Sequence, residues 1–339
     1  RKSEDDMKIF ITTTKVYRQI LKYLEKYKAM ENNKEFVELE FHFDSSCEGI
    51  IQTLSSIGKL TRRAIKVPNL SADSSFAMTK IPTIQPNSKM VTFSAKIPDD
   101  KQICNIYSGV FLLDERLVVC DWANNKLKLF DRYFQFVSHL KMESIPRFVC
   151  LVDEGTVAVT VDRDIRLVTV TDKLTPLRSI SVRKFCYGIA SYQQNIIVDI
   201  TGDSLLTYDT SDKIINRIMK YDRLLYLHNT HCVGQDGQII YYTKKNSIVT
   251  MDLKGNKLNT FESNDLKVAS WITIDKQGII YCCGTESKTV IMVTPKGREL
   301  GVLLSHELKN PFGICLNEKN DTILVFEKHT NDVKVFKIC

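Results

Sequence analysis

The sequence predicts a mainly β protein, a six-bladed β-propeller preceded by a helical coiled-coil segment. Three observations predict it. Six times between Gly109 and Cys339 the 339-residue chain restates an apolar start, a turn, a β-branched run, a polar loop and a second apolar run. The period is about forty residues, the length at which four short strands make one blade. Ahead of the repeats the apolar spacing is helical instead.

Residues 4–32 read as a helix. Phe10, Thr13, Tyr17, Ile20, Leu24 and Tyr27 alternate spacings of three and four, the rhythm of a coiled-coil seam, with charged residues on the other faces. Phe10, Tyr17, Ile20, Leu24 and Tyr27 are the expected dimerisation residues. Val37, Leu39, Phe41 and Phe43 then alternate with polar residues, as in a half-buried strand or arm. Ser45 and Glu48 form a capping box before a short helix carrying Ile50, Ile51, Leu54 and Ile57.

The expected organisation is a coiled-coil helix, arm and short helix over 1–65, a linker over 66–87, and the propeller over 88–339. Four of the eight prolines fall between Pro68 and Pro98, marking an extended connector. Its last part, Lys89–Lys96, alternates like a strand. Joining the last blade would close the ring and remove exposed strand edges.

Registered on Gly109, Phe148, Gly188, Leu227, Trp271 and Gly313, the six units are separated by 39, 40, 39, 44 and 42 residues. Second strands are expected at Leu117–Asp121, Thr156–Val161, Asn195–Ile200, Gln238–Tyr242, Gly278–Cys282 and Thr322–Phe326. Third strands are expected to end at Phe130, Thr171, Tyr208, Met251, Val293 and Val335.

The net charge of +7 is mild. Residues 1–87 carry 14 Lys/Arg against 11 Asp/Glu, and 88–339 carry 33 against 29, so no strongly basic domain stands out. No apolar run approaches the roughly 18 residues of a membrane span. The ten cysteines show no C-x-x-C pair. Most read as reduced core thiols of a cytoplasmic protein, and alternation places one of Cys282 and Cys283 inward.

Two units carry a family phrase. Asn310-Pro-Phe-Gly-Ile-Cys-Leu, then Thr322-Ile-Leu-Val-Phe-Glu and Asp332-Val-Lys-Val-Phe, resemble the NHL repeat. So does Gly109–Asp131, with Asn124-Asn125-Lys126-Leu127 at the stretch that names it. Phe36–Leu60 is similar to the end of the coiled coil in tripartite-motif (TRIM) proteins. The resemblance implies a ubiquitin-ligase fragment whose RING and B-box modules, and their zinc, lie in missing upstream sequence. The chain opens at Arg1 without an initiator methionine. No cofactor is expected in the chain itself. The units at Phe148 and Leu227 lack the Pro-x-Gly-Ile start, so they match less well.

Propeller ligands meet the face made by loops leading into the inner strands and those joining second to third strands. The first set offers Ser108, Arg147, Tyr187, Tyr226, Ser270 and Phe312, with Arg183, Lys184, Phe185 and Trp271 nearby. The second offers Trp122, Asn124, Arg163, Lys244, Lys245, Lys288 and Lys328. Such cations and aromatics suit an acidic protein segment or an RNA backbone with stacked bases. The bland reading is that inner-strand aromatics plug the channel and loop lysines are solvated. Enzymatic patterns are missing: no acid ring for a hard cation, no nucleophile elbow, no phosphate loop. His228 and His231 lie three apart, a spacing that puts them on opposite faces of a strand. The expected partner is a protein substrate or adaptor, with RNA the alternative.

Overall fold

In β-branched runs bounded by turns, every side chain finds a neighbour only if both faces of the resulting sheet are covered. Stacking sheets around an axis meets that demand. The computed structural model describes residues 81–84, 90–200, 204–209, 211–219, 231–233 and 239–339. The helical, arm and dimerisation readings for residues 1–65 lie outside these, as do Tyr226, Leu227 and His228.

Six four-stranded antiparallel sheets follow one another around a ring. A first strand, β1 (Val91–Ser94), stands apart from blade 1, which is β2 (Ile106–Phe111), β3 (Leu117–Asp121), β4 (Lys126–Phe130) and β5 (Phe136–Lys141). Blade 2 is β6 (Pro146–Asp153), β7 (Thr156–Val161), β8 (Asp164–Val170) and β9 (Leu174–Ser181). Blade 3 is β10 (Cys186–Tyr192), β11 (Asn195–Ile200), β12 (Ser204–Tyr208) and β13 (Ile214–Met219). Blade 4 is β14 (His231–Val233), β15 (Ile239–Lys244), β16 (Ser247–Asp252) and β17 (Lys257–Glu262). Blade 5 is β18 (Ala269–Ile274), β19 (Ile280–Gly284), β20 (Thr289–Val293) and β21 (Glu299–Leu304). Blade 6 is β22 (Pro311–Leu316), β23 (Thr322–Glu327) and β24 (Asp332–Lys337), completed by β1.

The ring closes as the Lys89–Lys96 alternation predicts. Val91 to Ser94 pair antiparallel with Val335 to Asp332, so the strand that precedes blade 1 ends up as the outer strand of blade 6. Phe93 locks it, stacking on Phe134 at 4.7 Å and meeting Phe130 edge-on at 5.3 Å.

Middle strands are buried on both faces, as in β3, β12, β19 and β20. This corrects the cysteine reading: Cys282 and Cys283 are both fully buried, because blades pack against each face of β19. Burial pushes the thiols of Cys104, Cys150 and Cys186 up to about 12. These are core groups rather than thiolates.

Close blade contact needs small residues at the axis. A Cβ at Gly313 would stand 2.6 Å from the Tyr107 carbonyl oxygen, and one at Gly109 2.5 Å from the Phe326 ring. Hydroxyls stitch neighbours together: the Val149 amide donates to Ser108 Oγ at 3.0 Å, and Ser270 Oγ donates to the Phe312 carbonyl at 2.8 Å.

Candidate functional site: the mouth of the ring

Each inner strand starts at the end of the ring where the second strand finishes, as the pairs Ile106 with Asp121 and Pro311 with Glu327 show. In five blades the inner strand holds one extra residue just after its start, between Ile106 and Ser108, Pro146 and Val149, Cys186 and Ile189, Ala269 and Ile272, and Pro311 and Gly313. A bulge re-aims the side chain beside it. The equivalent positions are therefore Tyr107, Arg147, Tyr187, Ser270 and Phe312. This corrects blade 1 by one residue: Ser108, not Gly109, matches Phe148, Gly188, Trp271 and Gly313. Ser108 and Ser270 are buried between blades, so they hold the ring together rather than face a ligand.

One step along the strands, the channel is filled. Phe148 of blade 2 and Trp271 of blade 5 come from opposite sides of the ring and stack at 4.8 Å. Both are buried, and the matching positions Ser108, Gly188 and Gly313 are small enough to leave them room. For Trp271 the plugging role expected of inner-strand aromatics is what the geometry gives.

Outside this plug, cations and rings alternate in a crescent across blades 6, 1, 2 and 3. Lys328 Nζ lies 4.0 Å from the Phe312 ring centre. Phe312 meets Tyr107 at 4.7 Å, and Tyr107 stacks on Trp122 at 5.8 Å. The Arg147 guanidinium covers the Tyr187 ring at 5.0 Å, and Arg163 covers Phe185 at 5.1 Å. Such cation–π contacts hold the cations against the rings, of which Phe312 is buried. Arg163, Arg183, Lys184 and Phe185 are exposed, with Arg183 in the left-handed region at φ 65°. Lys244 and Lys245 sit farther round, at the β15–β16 turn of blade 4, with Lys245 exposed. Tyr107 was missed by the sequence reading, which took Ser108 instead. The adjacent aromatic was the available signal.

Burial lowers the pKa of Lys328, and among the described residues no carboxylate lies within ion-pair distance of it. Among the described residues, the Arg147 Nε and the Trp122 indole nitrogen are buried without a hydrogen-bond acceptor. Burial raises the phenol of Tyr107, against the hydrogen bond to Asn105 and the charge of Arg147.

Asn124 does not belong to this surface. Only 7% exposed, it donates to Asp121 at 2.8 Å and accepts the Gln102 amide at 3.0 Å. Its neighbours form a buried ionic cluster absent from the sequence reading. Lys128, fully buried in β4, donates to Asp100 and to Asp121 at 2.6 Å each and to the Ala95 carbonyl at 2.8 Å. Lys126 Nζ reaches Asp99 and Asp100 at 2.9 Å each. The acid–thiol trio Asp100, Cys104 and Asp121 converges as metal ligands do. The cation at its centre is the Lys128 ammonium, 3.4 Å from the Cys104 sulfur. Burial lowers the pKa of Lys128, but hydrogen bonds to the two aspartates outweigh it and the net shift is upward.

With this geometry in view, comparison with known proteins defines a class. No protein-family model matches the chain, and no curated protein matches it. Solved structures do. A selenomethionine-substituted virginiamycin B lyase from Staphylococcus aureus has a TM-score of 0.56 at 11% identity, covering 74% of this chain and 99% of its own. A streptogramin B lyase has a TM-score of 0.55 at 12% identity, covering 74% and 98%. A structural genomics protein of unknown function from Bacteroides thetaiotaomicron VPI-5482 has a TM-score of 0.61 at 8% identity, covering 74% and 76%. At such identities the likeness is one of fold: the chain is a six-bladed β-propeller.

Proposed function

We propose that this chain is the partner-recognition portion of a TRIM-type ubiquitin ligase, gripping a protein segment through the mouth of its propeller. One observation carries the reading. The Phe148–Trp271 stack closes the channel, and the cation–aromatic crescent stands outside it. A filled axis under a sticky rim suits surface recognition better than a chamber for catalysis. The chain acts as a binding module, without cofactor, in the cytoplasm. Dimerisation through Phe10, Tyr17, Ile20, Leu24 and Tyr27 adds avidity by raising local concentration.

Three measurements test this. Random dodecapeptides displayed on phage are selected on the full chain, and single-stranded RNA oligonucleotides are titrated in parallel at several salt concentrations. Enrichment of peptides, with weak RNA binding, supports the reading. RNA binding with a steep salt slope, lost on joint replacement of Arg147, Arg183 and Lys184, replaces it with post-transcriptional control. Sequencing the full transcript tests the ligase part: Cys/His arrays upstream support it, and any other upstream domain removes it.

A further inference from the structure

The crescent is not uniform. Its blade 2–3 arm, with Arg163, Arg183 and Lys184, is exposed to water, where a cation needs no further partner. Its blade 6–1–2 arm is different. Lys328 and Arg147 are half-buried, and neither has a carboxylate within ion-pair distance among the described residues. Between them lie Phe312, Tyr107 and Trp122, in contact from one blade to the next. A desolvated cation is stabilised by an anion that enters with it. Phe312 is buried, but the partly exposed Trp122 ring can accept an apolar side chain. Elsewhere this chain satisfies its buried ammoniums. Lys128 has two carboxylates, Lys126 has two, and Lys334 has Glu327 at 2.9 Å. Among the described residues, Lys328, next in sequence to Glu327, meets a ring face instead.

We propose that the blade 6–1–2 arm is a carboxylate-binding subsite, in which Lys328 and Arg147 attract the acidic side chains of a partner peptide while an adjacent apolar residue of that peptide packs on Trp122. This rests on the protein-recognition reading and names the chemistry it selects. The arrangement rejects the isosteric amide because an amide brings no charge. The Trp122 indole provides a built-in reporter, since Trp122 and Trp271 are the two tryptophans of the chain.

The test uses dodecapeptides selected on the full chain by phage display, their Asp→Asn and Glu→Gln counterparts, and the Trp271→Phe protein, whose fluorescence reports Trp122 alone. Selected peptides are expected to carry an acidic residue next to an apolar one and to change Trp122 emission on binding. Amidation of that acid, or the Arg147→Gln/Lys328→Gln pair, is expected to weaken binding at least tenfold. Lys328→Met supplies the control for folding: it should abolish the acid preference while melting no lower than the parent. Peptides that bind without an acidic preference, or equally well to the double variant, overturn the subsite and leave protein recognition standing. Failure to enrich any peptide overturns both. A lower melting temperature for Lys328→Met assigns the ammonium a structural task and overturns the subsite, and quenching of Trp122 by RNA alone does the same.

Discussion

At the scale of single residues, the buried ammonium of Lys128 decides more than any surface charge. It ties the Ala95–Asp100 segment to Asp121 at the end of β3, so the chain leaving the closing strand is pinned to blade 1. Replacing Lys128 by Met leaves the buried Asp121 carboxylate without a cation and Asp100 with Lys126 alone, and should cost about 3–5 kcal/mol in denaturant unfolding. Adding Asp100→Asn and Asp121→Asn to that variant should recover much of the loss, since amides need no counter-charge. The same cluster sets an acid limit. Burial raises the pKa of Asp100, but hydrogen bonds from the Ile97 amide, Lys128 and Lys126 outweigh it, and the carboxyl is held below its ordinary value of 3.8. A depressed folded-state pKa contributes stability present above the unfolded value and lost as pH falls through the folded one. Melting temperature should therefore fall below about pH 4, and Asp100→Asn should flatten that fall. A profile unchanged by the substitution would place the acid sensitivity elsewhere. None of this was legible in Lys126-Leu-Lys-Leu, because a lysine every second residue of a strand reads as its wet face. The signal was there in Asp99, Asp100 and Asp121, but those charges meet Lys126 and Lys128 only after the chain has folded back.

At the scale of elements, strands were the most legible part. Leu117–Asp121, Thr156–Val161 and Asn195–Ile200 begin and end where alternation and flanking turns put them. The third strands ending at Phe130, Tyr208 and Val293 do so too. Single-residue register was less legible. Blade 1 has Ser108 and Gly109 side by side, both small, and only the bulge after Ile106 shows which one matches Gly313. Bulges leave no mark in an apolar pattern, so the mouth residue Tyr107 was displaced to Ser108. Two predictions belong here. Phe93→Ala removes the stack that ties the closing strand to Phe130 and Phe134 of blade 1 and should destabilise by about 1–3 kcal/mol. Its amides on β1 should then exchange with deuterium faster than those of β23, whereas uniform exchange across blade 6 would show that β1 is not a separate latch. Gly313→Ala drives a methyl into the Tyr107 backbone oxygen and should cost about 1–3 kcal/mol by thermal melting.

For the whole molecule, the ring has two kinds of closure. Strand β1 on β24 joins its ends covalently distant in sequence, and Phe148 with Trp271 fills its axis. Together they leave an end surface whose side chains come from four consecutive blades, so no single repeat contains the site. That is why the propeller was readable from a period of about forty residues while the grouping within the mouth was not. Arg147, Tyr187, Phe312 and Trp122 were singled out one at a time, and their contacts exist only once the ring has closed. Asn124 was singled out with them and turned inward, because its amide satisfies both Asp121 and Gln102. The surface is most directly tested by hydrogen–deuterium exchange on the full chain with and without a selected peptide. Protection is predicted at 102–108, 121–126, 144–149, 309–313 and 327–331. Protection confined to the outer strands β5, β9 and β21, or to the opposite end of the ring, would contradict the account.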